Sequence, residues 1–200
     1  PRGQMGRCRP LNNTVVPVSC AERGRGERRA SAPVGVLGFE SGRGLVPFLG
    51  SPMAAAARDG KGAMAAIRRR DRAQARGRVD AFKAESGDDP ALGLRIANYN
   101  TPSQFVASGS KRAIELLQEK AREFKGRAMP LAVSGAFHSP FMAEASAELA
   151  AYLDKCDFLN PRFPVYCNVT GRPENSGEGL KARLKEQMTS SVQWIDSVTG

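Results

Sequence analysis

The chain carries one histidine. His138 lies in the run Val133-Ser134-Gly135-Ala136-Phe137-His138-Ser139-Pro140-Phe141-Met142. Ser139 is a good N-cap, and Pro140 has the fixed φ and the missing N–H that suit the first helical position. The run therefore places an imidazole just before a helix start, where a general base is commonly held. The positive end of such a helix disfavours an imidazolium and keeps His138 a neutral proton acceptor. A lone histidine beside an N-cap is more often a structural residue than a catalytic one, so position alone does not assign it to catalysis. No metal site is expected. The four cysteines, Cys8, Cys20, Cys156 and Cys167, show no CxxC or Cys/His ligand spacing.

The elements that must position this histidine can be read on either side of it. Downstream, apolar residues recur at Phe141, Ala145, Leu149, Tyr152, Leu153 and Cys156, one face of a 3.6-period helix. Upstream, Ala63–Ile67 reads as a short strand and Asp71–Lys83 as a helix weakened by Gly77. Gly87-Asp88-Asp89-Pro90 reads as a turn. Leu94–Asn98 and Gln104–Ser108 are strand candidates. Ser110 caps a helix with Ala113, Ile114, Leu117, Ala121 and Phe124 on its apolar face, closed by Gly126. Ala128–Val133 is the strand that delivers the chain to His138. The succession from 63 to 133 is β-α-β-β-α-β, the ferredoxin-like split βαβ arrangement. Beyond it, Phe163–Val169 reads as a buried strand, and Glu178–Met188 and Val192–Val198 as helices. Strand–helix alternation there predicts a parallel α/β sheet with a face still to be covered, unfinished at Gly200.

A length of 200 residues, with 41% hydrophobic and 25% charged residues, bounds the chain to one ordinary globular domain or a small domain plus part of another. No run approaches the roughly 18 to 20 apolar residues of a membrane span. The N-terminus has no continuous apolar core of a secretory signal. Cysteine usage suits a reduced, cytoplasmic protein with free thiols. The net charge of +10 is unevenly spread. Residues 1–90 hold 17 Lys and Arg against 9 Asp and Glu, whereas residues 91–200 hold 13 against 11. Arg2, Arg7, Arg9, Arg23, Arg25, Arg28 and Arg29 alternate with Gly, Pro and Ser in an arm that shows no periodicity and reads as disordered over 1–32. Such an arm could neutralise nucleic-acid phosphates. No aromatic residue interleaves before Phe39, which argues against stacking readout of a nucleic acid.

The Val133–Met142 run resembles, nearly contiguously, the histidine motif of the malonyl-CoA:acyl-carrier-protein transacylases. Three further segments carry the resemblance. Gly62-Ala63-Met64-Ala65-Ala66-Ile67 is similar to the family's first small-domain strand. Asn98-Tyr99-Asn100-Thr101-Pro102-Ser103-Gln104 is similar to its N-F-N-S-P-x-Q turn, which otherwise reads as a capped hairpin loop. Val192-Gln193-Trp194 resembles its V-Q-W segment. The resemblance covers residues 62–200, less securely at 68–80. It implies an α/β fold: a ferredoxin-like small subdomain (62–134) inserted in an incomplete α/β-hydrolase-like core. Residues 1–61 would be a degraded part of the large subdomain and 135–200 its truncated C-terminal part. It implies a Ser–His mechanism with His138 as base, and Asn98, Asn100 and Gln104 near the cleft. It also implies no cofactor beyond malonyl-CoA as substrate, acyl carrier protein as partner, and a cytoplasmic monomer. Two other readings stay open: an acyltransferase domain of a polyketide synthase, and a non-enzymatic Arg-rich nucleic-acid-binding protein on a ferredoxin-like domain.

The chain departs from the family where the nucleophile should stand. Serine acyl transfer needs a serine on a tight strand-to-helix turn and oxyanion donors. No Gly-x-Ser-x-Gly occurs in the sequence. The family's G-H-S-L-G-E, aligned through Pro17, Ala21, Gly26 and Glu27, puts Glu22-Arg23-Gly24 where Gly-His-Ser belongs. The same register, continued through Gly35, Leu37, Phe39, Glu40, Leu45 and Val46, puts Leu49 at an arginine that binds the malonyl carboxylate, and a leucine cannot do that. The family's early Gly-Gln-Gly segment is not seen. Arg-, Gly-, Ala- and Pro-rich stretches at 1–32 and 68–78 are what a misread frame in GC-rich DNA would produce, and a diverged, inactive relative is the alternative.

Overall fold

The structure is a computed structural model that describes residues 60–68, 77, 79, 89–123, 127–133 and 135–200. The arm at 1–32, the nucleophile position Gly24, Leu49, Phe124, Gly126 and most of the 71–83 helix lie outside the described residues. Four strands pair into one antiparallel sheet: β1 (Gly62–Arg68), β2 (Arg95–Thr101), β3 (Gln104–Ser110) and β4 (Arg127–Pro130). Their order across the sheet is β2-β3-β1-β4. The period of two along each strand divides its side chains between two faces. Ala65, Ile67, Phe105 and Ala107 turn to one face, where α1 (Lys111–Glu123) covers them with Ala113, Ile114 and Leu117. Val79, in helical conformation, joins the same cluster. Met64, Ala97 and Val106 turn to the other face.

The pairing of β2 with β3 shifts register between Ile96 and Asn98. The bulge at Ala97 lets Ile96 and Tyr99 both reach the α1 face, although they are three residues apart. Tyr99 meets Phe105 edge-on there, with ring centroids 5.9 Å apart. Asn98 pairs with Val106 and so shares the opposite face. Helix α1 starts directly after β3, where the Ser110 hydroxyl accepts from the Ala113 amide at 3.1 Å, an N-cap bond. The fourth strand is shorter than the sequence predicts: it is Arg127–Pro130 rather than Ala128–Val133. Pro130 has no N–H to donate, and its pairing with Ala65 is the last step of the ladder.

Residues 135–200 differ from expectation in three places. The helix after Ser139 opens as one 3-10 turn, Pro140–Met142, because the Met142 amide donates to Ser139 three residues back. The α-helix proper, α2, is Ala143–Leu153. Cys156 therefore lies beyond the helix, in the turn after it, yet stays buried. The strand expected over Phe163–Val169 shrinks to β5 (Val165–Tyr166), since Pro164 lacks an N–H and Phe163 is exposed. It pairs antiparallel with β6 (Pro173–Glu174), so no parallel sheet forms among the described residues. The connection of residues 167–172 is far shorter than the crossover a parallel pair requires. Helix α3 spans Gly177–Gln187 and α4 spans Trp194–Thr199. Val192, expected to open α4, instead bridges in parallel to Asn98 of β2.

Helices α2 and α3 enclose a second core of Met142, Ala145, Leu149, Leu153, Cys156 and Met188. No helix among the described residues is long and apolar enough to cross a membrane.

Candidate functional site

The histidine turn is wedged between the two cores. Phe137 packs on the open face of the sheet, against Met64, Ala97 and Val106, and also on the α2–α3 core. Ala136 is buried against Gly62 so closely that a Cβ on Gly62 would run into the Ala136 backbone. Ser139 is fully buried and bonds on both sides of the turn. Its hydroxyl donates to the Ala136 carbonyl at 2.5 Å and accepts from the Phe141 amide at 3.3 Å. The N-cap role expected of Ser139 is thus filled. His138 itself takes φ +57°, the left-handed region that costs a non-glycine residue on the order of 1–2 kcal/mol. Packing on one side and the Ser139 bonds on the other hold it there.

The ring is held through one nitrogen. His138 Nδ1 lies 3.1 Å from the Gln187 carbonyl and 3.1 Å from the Ser190 carbonyl. Both partners can only accept, so Nδ1 carries the proton in this arrangement and Nε2 carries the lone pair. Gln187 is the last residue of α3, where carbonyls lack intrahelical partners, which is why one is available to the ring. The groups that orient the imidazole are therefore carbonyls at the end of α3, not the amides of the helix that Ser139 opens. An imidazole so fixed, half-buried at the edge of a sheet, can take a proton at Nε2 and return it.

The segment that supplies the Ser190 carbonyl is itself laid along the outer edge of β2. Val192 N donates to Ala97 O at 2.7 Å, and Tyr99 N donates to Val192 O at 2.9 Å. The Ser191 hydroxyl donates to Ile96 O at 2.6 Å, and an Arg95 guanidinium nitrogen donates to Thr189 O at 2.7 Å. This edge places the expected site residues unequally. Asn98 is buried on β2, at the bridge to Val192, one hydrogen-bonded segment from His138. Asn100 and Gln104 are half-buried at the far end of the β2–β3 hairpin. The structure brings Asn98 to the histidine's supporting segment; it places the other two along the hairpin leading away from that bridge. Arg95, Gln187, Ser190 and Ser191 are not singled out by the sequence. The only signal near them is the Val192-Gln193-Trp194 run.

Elsewhere among the described residues, two carboxyl groups are held by local hydrogen bonds. Hydrogen bonds from Ser176 and Asn175 hold the Glu174 carboxyl below its ordinary range, at the start of α3. The Lys185 ammonium, hydrogen-bonded to Asp154, lowers that carboxyl and ties α3 to the end of α2. No group of three or more potential metal ligands occurs among the described residues.

No protein-family model matches the chain. It is 38% identical over 175 residues to the malonyl CoA-acyl carrier protein transacylase of a Synechocystis species, covering 86% of this chain and 54% of that protein. A Staphylococcus aureus protein of the same description is 36% identical over 174 residues, with the same coverage of 86% and 54%. Among solved structures, a malonyl-CoA:acyl carrier protein transacylase from Xanthomonas oryzae pv. oryzae is similar with a TM-score of 0.77 and 32% identity, over 88% of this chain and 55% of that one. A malonyl-transacylase solved in complex with a type II PKS acyl-carrier protein is similar with a TM-score of 0.77 and 30% identity, over 88% and 55%. The chain spans about half the length of the relatives it matches. In sequence and in its mixed helix-and-sheet fold alike, the chain is a relative of the malonyl CoA-acyl carrier protein transacylases.

Proposed function

We propose that this chain is the histidine-bearing part of a malonyl-CoA:acyl-carrier-protein transacylase. The observation that carries the reading is the imidazole of His138, fixed at Nδ1 by the Gln187 and Ser190 carbonyls and so left with a basic Nε2. In the complete enzyme Nε2 takes the proton of a serine hydroxyl as the oxygen attacks the malonyl thioester carbonyl. Backbone amides stabilise the oxyanion, and the CoA sulfur leaves with the proton returned by the imidazolium. The phosphopantetheine thiol of the carrier protein then gives its proton to Nε2 and attacks the malonyl-serine ester. The serine oxygen departs and regains its proton. Asn98 flanks this cleft from β2, with Asn100 and Gln104 further along the hairpin. No cofactor enters these steps, and the enzyme works as a cytoplasmic monomer.

The order β2-β3-β1-β4 of the antiparallel sheet supports reading 62–134 as a ferredoxin-like subdomain. Residues 1–61 and 135–200 then belong to the larger α/β-hydrolase-like part. In this chain Gly24 stands at the serine position, and we attribute that to a misread frame. The test is the coding DNA around residues 17–50 read in all three frames, followed by assay of the corrected product. Recovery of G-H-S-L-G-E in a neighbouring frame is expected. The corrected enzyme should move labelled malonyl from CoA to carrier protein, and His138→Ala should cost it on the order of a thousandfold or more. A corrected product that transfers malonyl equally well without His138 would overturn the reading.

A further inference from the structure

We propose that Arg95 and Ser191 are positioning residues for His138, pinning the segment on either side of Ser190 so that its carbonyl stays aimed at Nδ1. The inference rests on His138 acting as the base of the proposed transfer, but its geometry is independent of turnover. Ser190 contacts His138 through its carbonyl alone, and no part of its own side chain is involved in that bond. What fixes a carbonyl is the chain before and after it. Before it, Thr189 O accepts from Arg95 at 2.7 Å; after it, the Ser191 hydroxyl donates to Ile96 O at 2.6 Å. Both pins end on β2, which also pairs with Val192. The sheet edge is thereby coupled to the imidazole through one residue. The coupling has work to perform, because a free histidine side chain favours the opposite neutral tautomer, with the proton on Nε2. Two accepting carbonyls must invert that preference, and one of them depends on the pins.

The experiment uses the full chain labelled with heavy nitrogen. His138 is the sole histidine, so a long-range nitrogen–proton NMR correlation reports one ring without ambiguity. The unmodified chain should show Nδ1 protonated and Nε2 bare. In Arg95→Met and in Ser191→Ala, the ratio of Nδ1–H to Nε2–H should fall by about fivefold, the worth of one ordinary hydrogen bond, and further in the double variant. Ser191→Thr keeps the hydroxyl and should restore the ratio. An unchanged ratio in the folded double variant overturns the proposal. If the double variant does not fold, Ser191→Thr against Ser191→Ala decides: matching spectra overturn it, and a difference in the expected direction supports it. Malonyl transfer by the frame-corrected product that survives His138→Ala, with the Nδ1–H tautomer intact in the unmodified chain, would count against the proposed reaction and leave the positioning role standing.

Discussion

At the scale of single residues, the histidine is legible in the sequence and its partners are not. His138 announces itself by type, by uniqueness and by the Ser139-Pro140 helix start beside it. Gln187 and Ser190 act through backbone carbonyls, which every residue possesses, so no pattern of side chains could mark them. The same holds for the left-handed backbone of His138, which its sequence neighbours do not encode. Cys167 offers a residue-scale test of the packing. Burial pushes its thiol from 9.0 up to about 11; Glu174 adds to the rise and Arg183 opposes it. At pH near 8 its alkylation in the folded chain should be slower than in denaturant by about a hundredfold, read from the Cys167 peptide by mass spectrometry. The sign for stability follows from a raised folded value. The contribution is full below about pH 9 and is lost as pH rises through about 11. Denaturation midpoints that fall no faster in the native chain than in Cys167→Ala over that range would contradict it.

At the scale of elements, amphipathic pattern succeeds where one face is buried and fails where backbone chemistry intervenes. Helix α1 follows from the stripe Ala113, Ile114 and Leu117 and from the Ser110 cap. Strands β1 to β3 follow from short, largely apolar runs bounded by turn residues rather than from alternation, because both faces of the sheet are covered, and the Ala97 bulge resets the faces of β2. Val192 leaves its expected helix because a β-branched apolar residue suits a helix start and a strand edge equally, and here the unpaired edge of β2 wins. The hydrophobicity of Phe163 suits a strand, but Pro164 breaks the ladder there. The joint between sheet and histidine turn rests on Gly62, which stands against the Ala136 backbone. Gly62→Ala should therefore displace the turn and destabilise the fold by about 1–3 kcal/mol, the usual cost of overpacking. Urea titration measures the loss, and the His138 ring signals should shift with it. A variant as stable as the parent, with unmoved ring signals, would show that the two units do not meet so closely.

At the scale of the whole molecule, the chain joins an α1-covered sheet to a helical layer through Phe137, which packs on both. Its likeness to the malonyl CoA-acyl carrier protein transacylases extends over most of its own length and about half of theirs. On the proposed reading Gly24 and Leu49 stand where the nucleophile and the carboxylate-binding arginine belong, so the polypeptide as written is expected to transfer no malonyl from CoA to carrier protein. Restoring serine at position 24 alone should not rescue it. Transfer within tenfold of a complete relative, abolished by His138→Ala, would show that another residue serves as nucleophile.

Above all, this fold sets the Nδ1 of His138 against two carbonyls, which fixes the ring's proton there and leaves Nε2 for the proposed base role. The long-range nitrogen–proton spectrum of the unmodified, labelled chain at a pH where the ring is neutral tests that directly. A protonated Nδ1 and a bare Nε2 are predicted, with both signals lost to averaging once the chain is unfolded. A ring protonated at Nε2, or one averaging between tautomers in the folded chain, would contradict it.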